Sequence, residues 1–165
     1  MILISIQSLN SIKITSQGSH KDSFMNTLTI LDFLNTTSKS EKELFKNTLK
    51  TLNSTQEGQS AEHKIATLAN ILLEKSSEEP KYLFIVLVSC LNAMGDYSTE
   101  ITPAIIRDIL QEKNTEQLVS FFLSTSENKE LPPNIMQNID TFQEMPTSEL
   151  GSYQSLLLEK INCYI

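Results

Sequence analysis

The stretch Tyr82-Leu83-Phe84-Ile85-Val86-Leu87-Val88, carried on by Cys90, Leu91, Ala93 and Met94, is apolar on every side rather than along one stripe. A helix without a polar face has to be surrounded by the rest of the protein, so this segment is expected to form the axis of the core. It opens at Pro80, which a first helical turn accepts because that N–H has no intrahelical partner. Gly95 is placed to close it as a left-handed residue beyond the last turn. The β-branched and aromatic content would also suit a buried strand, and periodicity alone does not separate the two. Length and the helical signals on both sides decide for a central helix over residues 80–94.

Outward from this axis the chain reads as short amphipathic helices. On the N-terminal side, Ile65, Leu68, Ala69, Leu72 and Leu73 recur at helical spacing after Gly58 and Ser60. Before them, Ser40-Glu41-Lys42-Glu43 has the form of a capping box and introduces a helix through Leu44, Phe45, Leu49 and Leu52. Asp22 is placed to cap a still earlier helix bearing Phe24, Met25, Leu28, Leu31 and Leu34. On the C-terminal side, Thr102-Pro103 is a cap followed by proline at the first helical position, opening a run with Ile105, Ile106, Ile109 and Leu110. Asn114 with Gln117 three residues later starts the next, and Leu131-Pro132-Pro133 breaks it, since a residue before proline is pushed out of the helical region. Ile135, Met136, Ile139 and Phe142 fit a short helix. After Pro146, a last one from about Ser148 lines up Leu150, Tyr153, Leu157, Ile161 and Tyr164.

The first fifteen residues depart from this habit: Ile2, Ile4 and Ile6 alternate, as do Ile12 and Ile14. They fit a small β-hairpin, which would have to pack on the helices to be stable, or a further helix. Helix pairs restart about every 40 residues, close to the period of two-helix solenoids, but no motif repeats at that offset. An enclosed axis also suits a bundle better than a solenoid. The expected fold is therefore all-α: one globular domain over 1–165, a bundle of seven or eight helices around the central one. Residues 1–21 form an arm or hairpin.

With 165 residues and two cysteines that form no CxxC or finger spacing, the chain is long enough to bury a core without staples, and disulfides are not expected. Cys90 and Cys163 point to the cytoplasm or another reducing compartment. The N-terminus has no basic flank or long apolar run of the signal-peptide kind, and residues 82–94 are too short to span a bilayer, so the chain is read as soluble. The net charge of −7 is uneven: residues 1–82 carry nine basic and nine acidic groups, and residues 83–165 four and eleven. Nonspecific binding to nucleic acid is disfavoured for the acidic half, where a phosphate backbone would be repelled. A basic partner patch would be attracted there, or the excess serves solubility.

Chemistry-bearing residues are sparse. His20 lies in a polar loop, and His63 stands beside Glu62 at the start of a helix, where the positive end favours neutral imidazole. Glu62 alone does not complete a metal site with it, so neither metal nor other cofactor is expected. Cys90 is read as a small hydrophobe of the core, its thiolate disfavoured by desolvation. Cys163 is read as accessible but without a base. The four glycines form neither GxGxxG nor GxxxxGK. One row stands out. Lys42, Lys46 and Lys50 recur every four residues, with Lys39 just before the expected cap, flanking the apolar face of that helix. The row is either a docking face for an acidic partner or phosphorylated group, or a solvated helix face partly neutralised by Glu43.

Two function classes follow. The first is a non-enzymatic protein-interaction module, an adaptor, inhibitor or effector that binds a protein partner through helix faces or a groove, with Lys39, Lys42, Lys46 and Lys50 as its contact residues. The alternative is an enzyme or small-ligand binder whose site is assembled from residues distant in sequence. Export as an effector is a further reading, from the polar stretch 144–149 ahead of an apolar tail.

Overall fold

A computed structural model describes residues 39–54, 59–95 and 100–165. The expected arm or hairpin over 1–21, the helix from Asp22, and His20 lie outside these residues. The chain divides into two units at Lys39/Ser40, and apart from Lys39 the described residues belong to the second, Ser40–Ile165.

The described residues form seven α-helices and no strand: α1 over residues 39–53, α2 Gln59–Leu73, α3 Glu78–Met94, α4 Pro103–Glu112, α5 Thr115–Asn128, α6 Pro133–Glu144 and α7 Thr147–Asn162. The all-α bundle expected from the apolar spacing is the fold observed. No described helix is long and apolar enough to cross a membrane.

Helix α3 is the axis. It packs against α2, α5, α6 and α7, and the Phe45 ring of α1 reaches its Phe84 at a centroid distance of 6.5 Å. Leu83, Phe84, Val86, Leu87, Val88 and Cys90 are fully buried. Burying side chains of this size contributes about 1.5–3 kcal/mol each, so the apolar run supplies much of the cohesion. The enclosure is incomplete at Tyr82, in the second turn, and at Met94, the last helical residue, both of which are exposed. The helix also begins two residues before Pro80, with Ser77 in the cap position and Glu78 and Glu79 in the first turn, where acidic groups complement the positive helix end.

Two boundary expectations are corrected. Gly95 does not adopt the left-handed conformation; its φ of −59° and ψ of 104° carry the chain away extended, while its N–H donates to Leu91 O at 3.1 Å. A Cβ there would meet Asn92 O at 3.5 Å and Leu91 O at 3.7 Å, ordinary contacts. Gly95→Ala is therefore expected to leave stability unchanged or raise it by about 0.4–1 kcal/mol, by narrowing the unfolded ensemble. A fall in the urea midpoint would show that this turn needs glycine. The second correction is Ser40. Residues 39 and 40 are already helical, so Ser40 is not the cap of α1. A Ser-x-x-Glu sequence reads the same on an exposed helix surface as at a helix start.

The caps expected at Thr102 and Asn114 are observed. Thr102 Oγ1 accepts from the Ile105 N–H at 3.3 Å, with Pro103 at the first helical position. Asn114 and Gln117 form a reciprocal box, the Gln117 N–H donating to Asn114 Oδ1 at 2.9 Å and the Asn114 N–H to Gln117 Oε1 at 3.0 Å. The cap and the box satisfy donors that the helix starts would otherwise leave open. The C-terminal helix closes the bundle: Leu150, Leu157 and Ile161 are buried, and the Tyr164 ring lies 4.5 Å from that of Phe45.

Candidate functional site

Helix α1 carries the lysine row. Phe45, Leu49 and Leu52 are its buried residues, whereas Leu44, expected on the same apolar face, is 53% exposed. The helical rotation of about 100° per residue accounts for both: Leu44 falls roughly a quarter-turn to one side of the buried stripe, and the lysines fall a similar angle to the other. Lys39, Lys42, Lys46 and Lys50 are all exposed. Because α1 already includes residue 39, Lys39 belongs to the helix rather than preceding its cap. From 39 to 50 the row extends about 16 Å along the axis. None of the three ion pairs among the described residues, Lys81–Glu78, Arg107–Asp108 and Lys160–Glu159, involves it. The helix itself ends at Asn53, whose amide donates to Ile101 O at 2.9 Å and accepts the Ile101 N–H at 3.0 Å. This pair of hydrogen bonds fixes the C-terminal end of α1 to the segment entering α4.

A second arrangement draws on residues far apart in sequence. A shallow, open depression of about 270 Å³ is lined by Glu62, His63, Ile65 and Ala66 of α2, Ile85 and Ser89 of α3, and Asn134 and Ile135 of α6. Glu62, His63 and Asn134 form an exposed rim, and Ser89 lies deeper, buried in the floor. The placement of His63 beside Glu62 near a helix start agrees with the sequence reading. Ser89 and Asn134 were not legible as site residues. Ser89 reads as an interruption of an apolar run, and Asn134 as a loop residue after two prolines. The available signal was Ser89 itself, since a polar side chain inside an all-apolar segment is the informative exception.

The arrangement lacks a nucleophile–base pair: no described hydrogen bond joins Ser89 to His63 or to Glu62. Nor does any group of three His, Cys, Asp or Glu residues among those described have the proximity to hold a metal ion. The cysteines are placed as the sequence suggests, Cys90 buried and Cys163 exposed. Desolvation pushes the Cys90 thiol from 9.0 up to about 12, against a smaller opposing effect of the Thr125 hydroxyl. Tyr153 is also pushed up to about 12, chiefly because its hydroxyl donates to Glu149 at 2.7 Å. Both groups thus stay protonated well into the alkaline range.

Thiol labelling of the native protein at pH 8 is expected to modify Cys163 rapidly and Cys90 only on unfolding. Burial of a neutral Cys90 also links stability to pH. The folded value lies above the unfolded one, so this contribution is complete below about pH 9 and lost as pH rises toward 12. Replacing Cys90 with alanine should flatten that alkaline decline, measured against the parent at each pH.

Comparison of the chain with protein-family models, curated proteins and solved structures finds no match.

Proposed function

We propose that this protein is a non-enzymatic interaction module, an adaptor, inhibitor or effector, that engages an acidic protein partner along the lysine row of α1. The observation that carries this reading is the row itself: four exposed lysines on one helix, joined by no ion pair to any described residue. A solvated helix surface commonly alternates charges that neutralise one another. Here the nearest acid in sequence on that side, Glu43, makes no ion pair with the row. The row also stands on an anchored helix, because Phe45, Leu49 and Leu52 hold the adjacent face in the core and Asn53 fixes the helix end.

Exposed charges of this kind steer encounter and select partners more than they supply affinity. Reversal of Lys42 and Lys46 to glutamate is accordingly expected to slow association with the purified partner and to reduce the salt dependence of binding. The helical circular dichroism signal and the unfolding midpoint should hardly move, since exposed pairs contribute roughly 0–1 kcal/mol to a fold. At about 1 M salt, where the screening length falls to about 3 Å, parent and variant should come together. Unchanged association at low salt would dismiss the row as the docking face. Reproducible catalytic turnover, abolished by His63→Ala, would overturn the non-enzymatic reading itself.

A further inference from the structure

The depression between α2, α3 and α6 combines features that the lysine row does not use. Helix α6 starts without a cap: Pro132 occupies the cap position with no side-chain hydrogen bond, and no acidic residue stands in the first turn. Pro133 has no N–H, none of the described hydrogen bonds takes up the Asn134 N–H, and the Ile135 N–H reaches back only to Pro132 O at 2.9 Å. A helix start left open in this way presents partial positive charge and one free donor, the Asn134 N–H, to an acceptor group. Asn134 and Ile135, the second and third residues of that helix, both line the depression.

An independent observation points the same way. Ser89 is only 8% exposed, and none of the described hydrogen bonds engages its hydroxyl. No buried side-chain nitrogen or oxygen of the described residues is cut off from both solvent and partner. The Ser89 hydroxyl therefore keeps its solvent contact, and the depression is the space it lines. The remaining walls, Ile65, Ala66, Ile85 and Ile135, are aliphatic.

We infer that this depression binds a carboxylate carried on a short aliphatic body. The carboxylate oxygens accept hydrogen bonds from the Ser89 hydroxyl and from the Asn134 N–H at the start of α6, while the body lies against Ala66 and Ile85, the partly exposed aliphatic walls. The His63 imidazole on the rim is a further donor. A volume of about 270 Å³ is just below the roughly 300–1,000 Å³ of drug-sized sites, which suits a small acid or the last residue of a chain. Glu62 is the one like charge on the rim. It is exposed, so solvent weakens its repulsion without removing it. This sets a signature that a site for a cation would show with the opposite sign.

The same chemistry has two sources, a free branched carboxylic acid or the terminal carboxylate of a peptide ending in an aliphatic residue. The test is titration of the full chain, followed by amide resonances at Ser89, Asn134 and His63. The probes are 4-methylpentanoate, its neutral amide, an acetylated tripeptide ending in leucine with a free carboxylate, and the amidated form of that peptide. Expected are saturable shifts at these residues with at least one carboxylate, and roughly tenfold weaker or no binding for its amide, because hydrogen bonds to an ionised acceptor are about twice as strong. Tighter binding of the peptide assigns a chain terminus as the ligand, and tighter binding of the free acid assigns a small molecule. Glu62→Gln should tighten the carboxylate about two- to fivefold by removing the like charge. Ser89→Ala should weaken it; if that variant does not fold, the Glu62 change on the rim still decides. Equal binding of acid and amide, weakening by Glu62→Gln, or no saturable shift with either carboxylate overturns the inference. Lys42→Glu with Lys46→Glu should leave these shifts unchanged, so failure of the lysine docking face and failure of this site are separately visible.

Discussion

Leu87→Ala is expected to destabilise the fold by about 2–5 kcal/mol, the range for removing a large aliphatic side chain from a packed interior. Leu87 is fully buried on α3, between Val86 and Val88, which are fully buried as well. Three consecutive buried positions in a helix span about 200° of its circumference, so neighbouring helices surround this level of the axis. The surroundings are therefore poorly able to collapse into the space left behind, which places the loss toward the upper part of the range. Ile85→Ala is the matched control. It lies two residues away on the same helix but is only partly buried, at the edge of the depression. Its expected loss is distinctly smaller. Equal shifts of the urea midpoint in the two variants would mean that α3 is not enclosed at Leu87.

That contrast also shows how far the sequence could be read. The position of the axis was legible because a run from Leu83 to Cys90 with one polar residue has no amphipathic alternative. Thr102-Pro103 and Asn114 with Gln117 were legible because cap chemistry is local, completed within three residues. Gly95 and Ser40 misled for the complementary reason. Glycine is permitted at a left-handed helix end without being confined to it, and Ser-x-x-Glu satisfies a cap only where the helix actually starts. The lysine row was legible as a pattern, whereas the exposure of Leu44 depended on which side of α1 met the rest of the bundle. The depression was beyond reach of any local pattern. Its residues come from three helices spread from 62 to 135, and only packing brings Ser89 and the first turn of α6 to one depression.

Asn53→Ala is expected to cost roughly 1–3 kcal/mol, a large effect for a residue that is not itself fully buried. Asn53 lies 48 residues from Ile101, yet its amide occupies both backbone groups of that residue. Ile101 is 6% exposed, so truncation leaves a shielded N–H and C=O without their partner. The penalty comes from those two orphaned groups more than from the lost contact of Asn53. The Ile101 amide, protected from hydrogen exchange in the parent, should exchange markedly faster in the variant, while amides in the middle of α3 change only as far as global stability falls. Asn53→Asp separates the two bonds. Its carboxylate still accepts the Ile101 N–H but sets a negative oxygen against the Ile101 carbonyl, which disfavours the ionised form in the folded state. The folded acid is then held above its unfolded value, so the variant should approach the parent below about pH 4 and fall behind as pH rises through the carboxylate range. A deficit independent of pH would mean that the Asn53 amide does not donate to Ile101. An undiminished protection of Ile101 in Asn53→Ala would show that the segment entering α4 is held by its buried side chain alone.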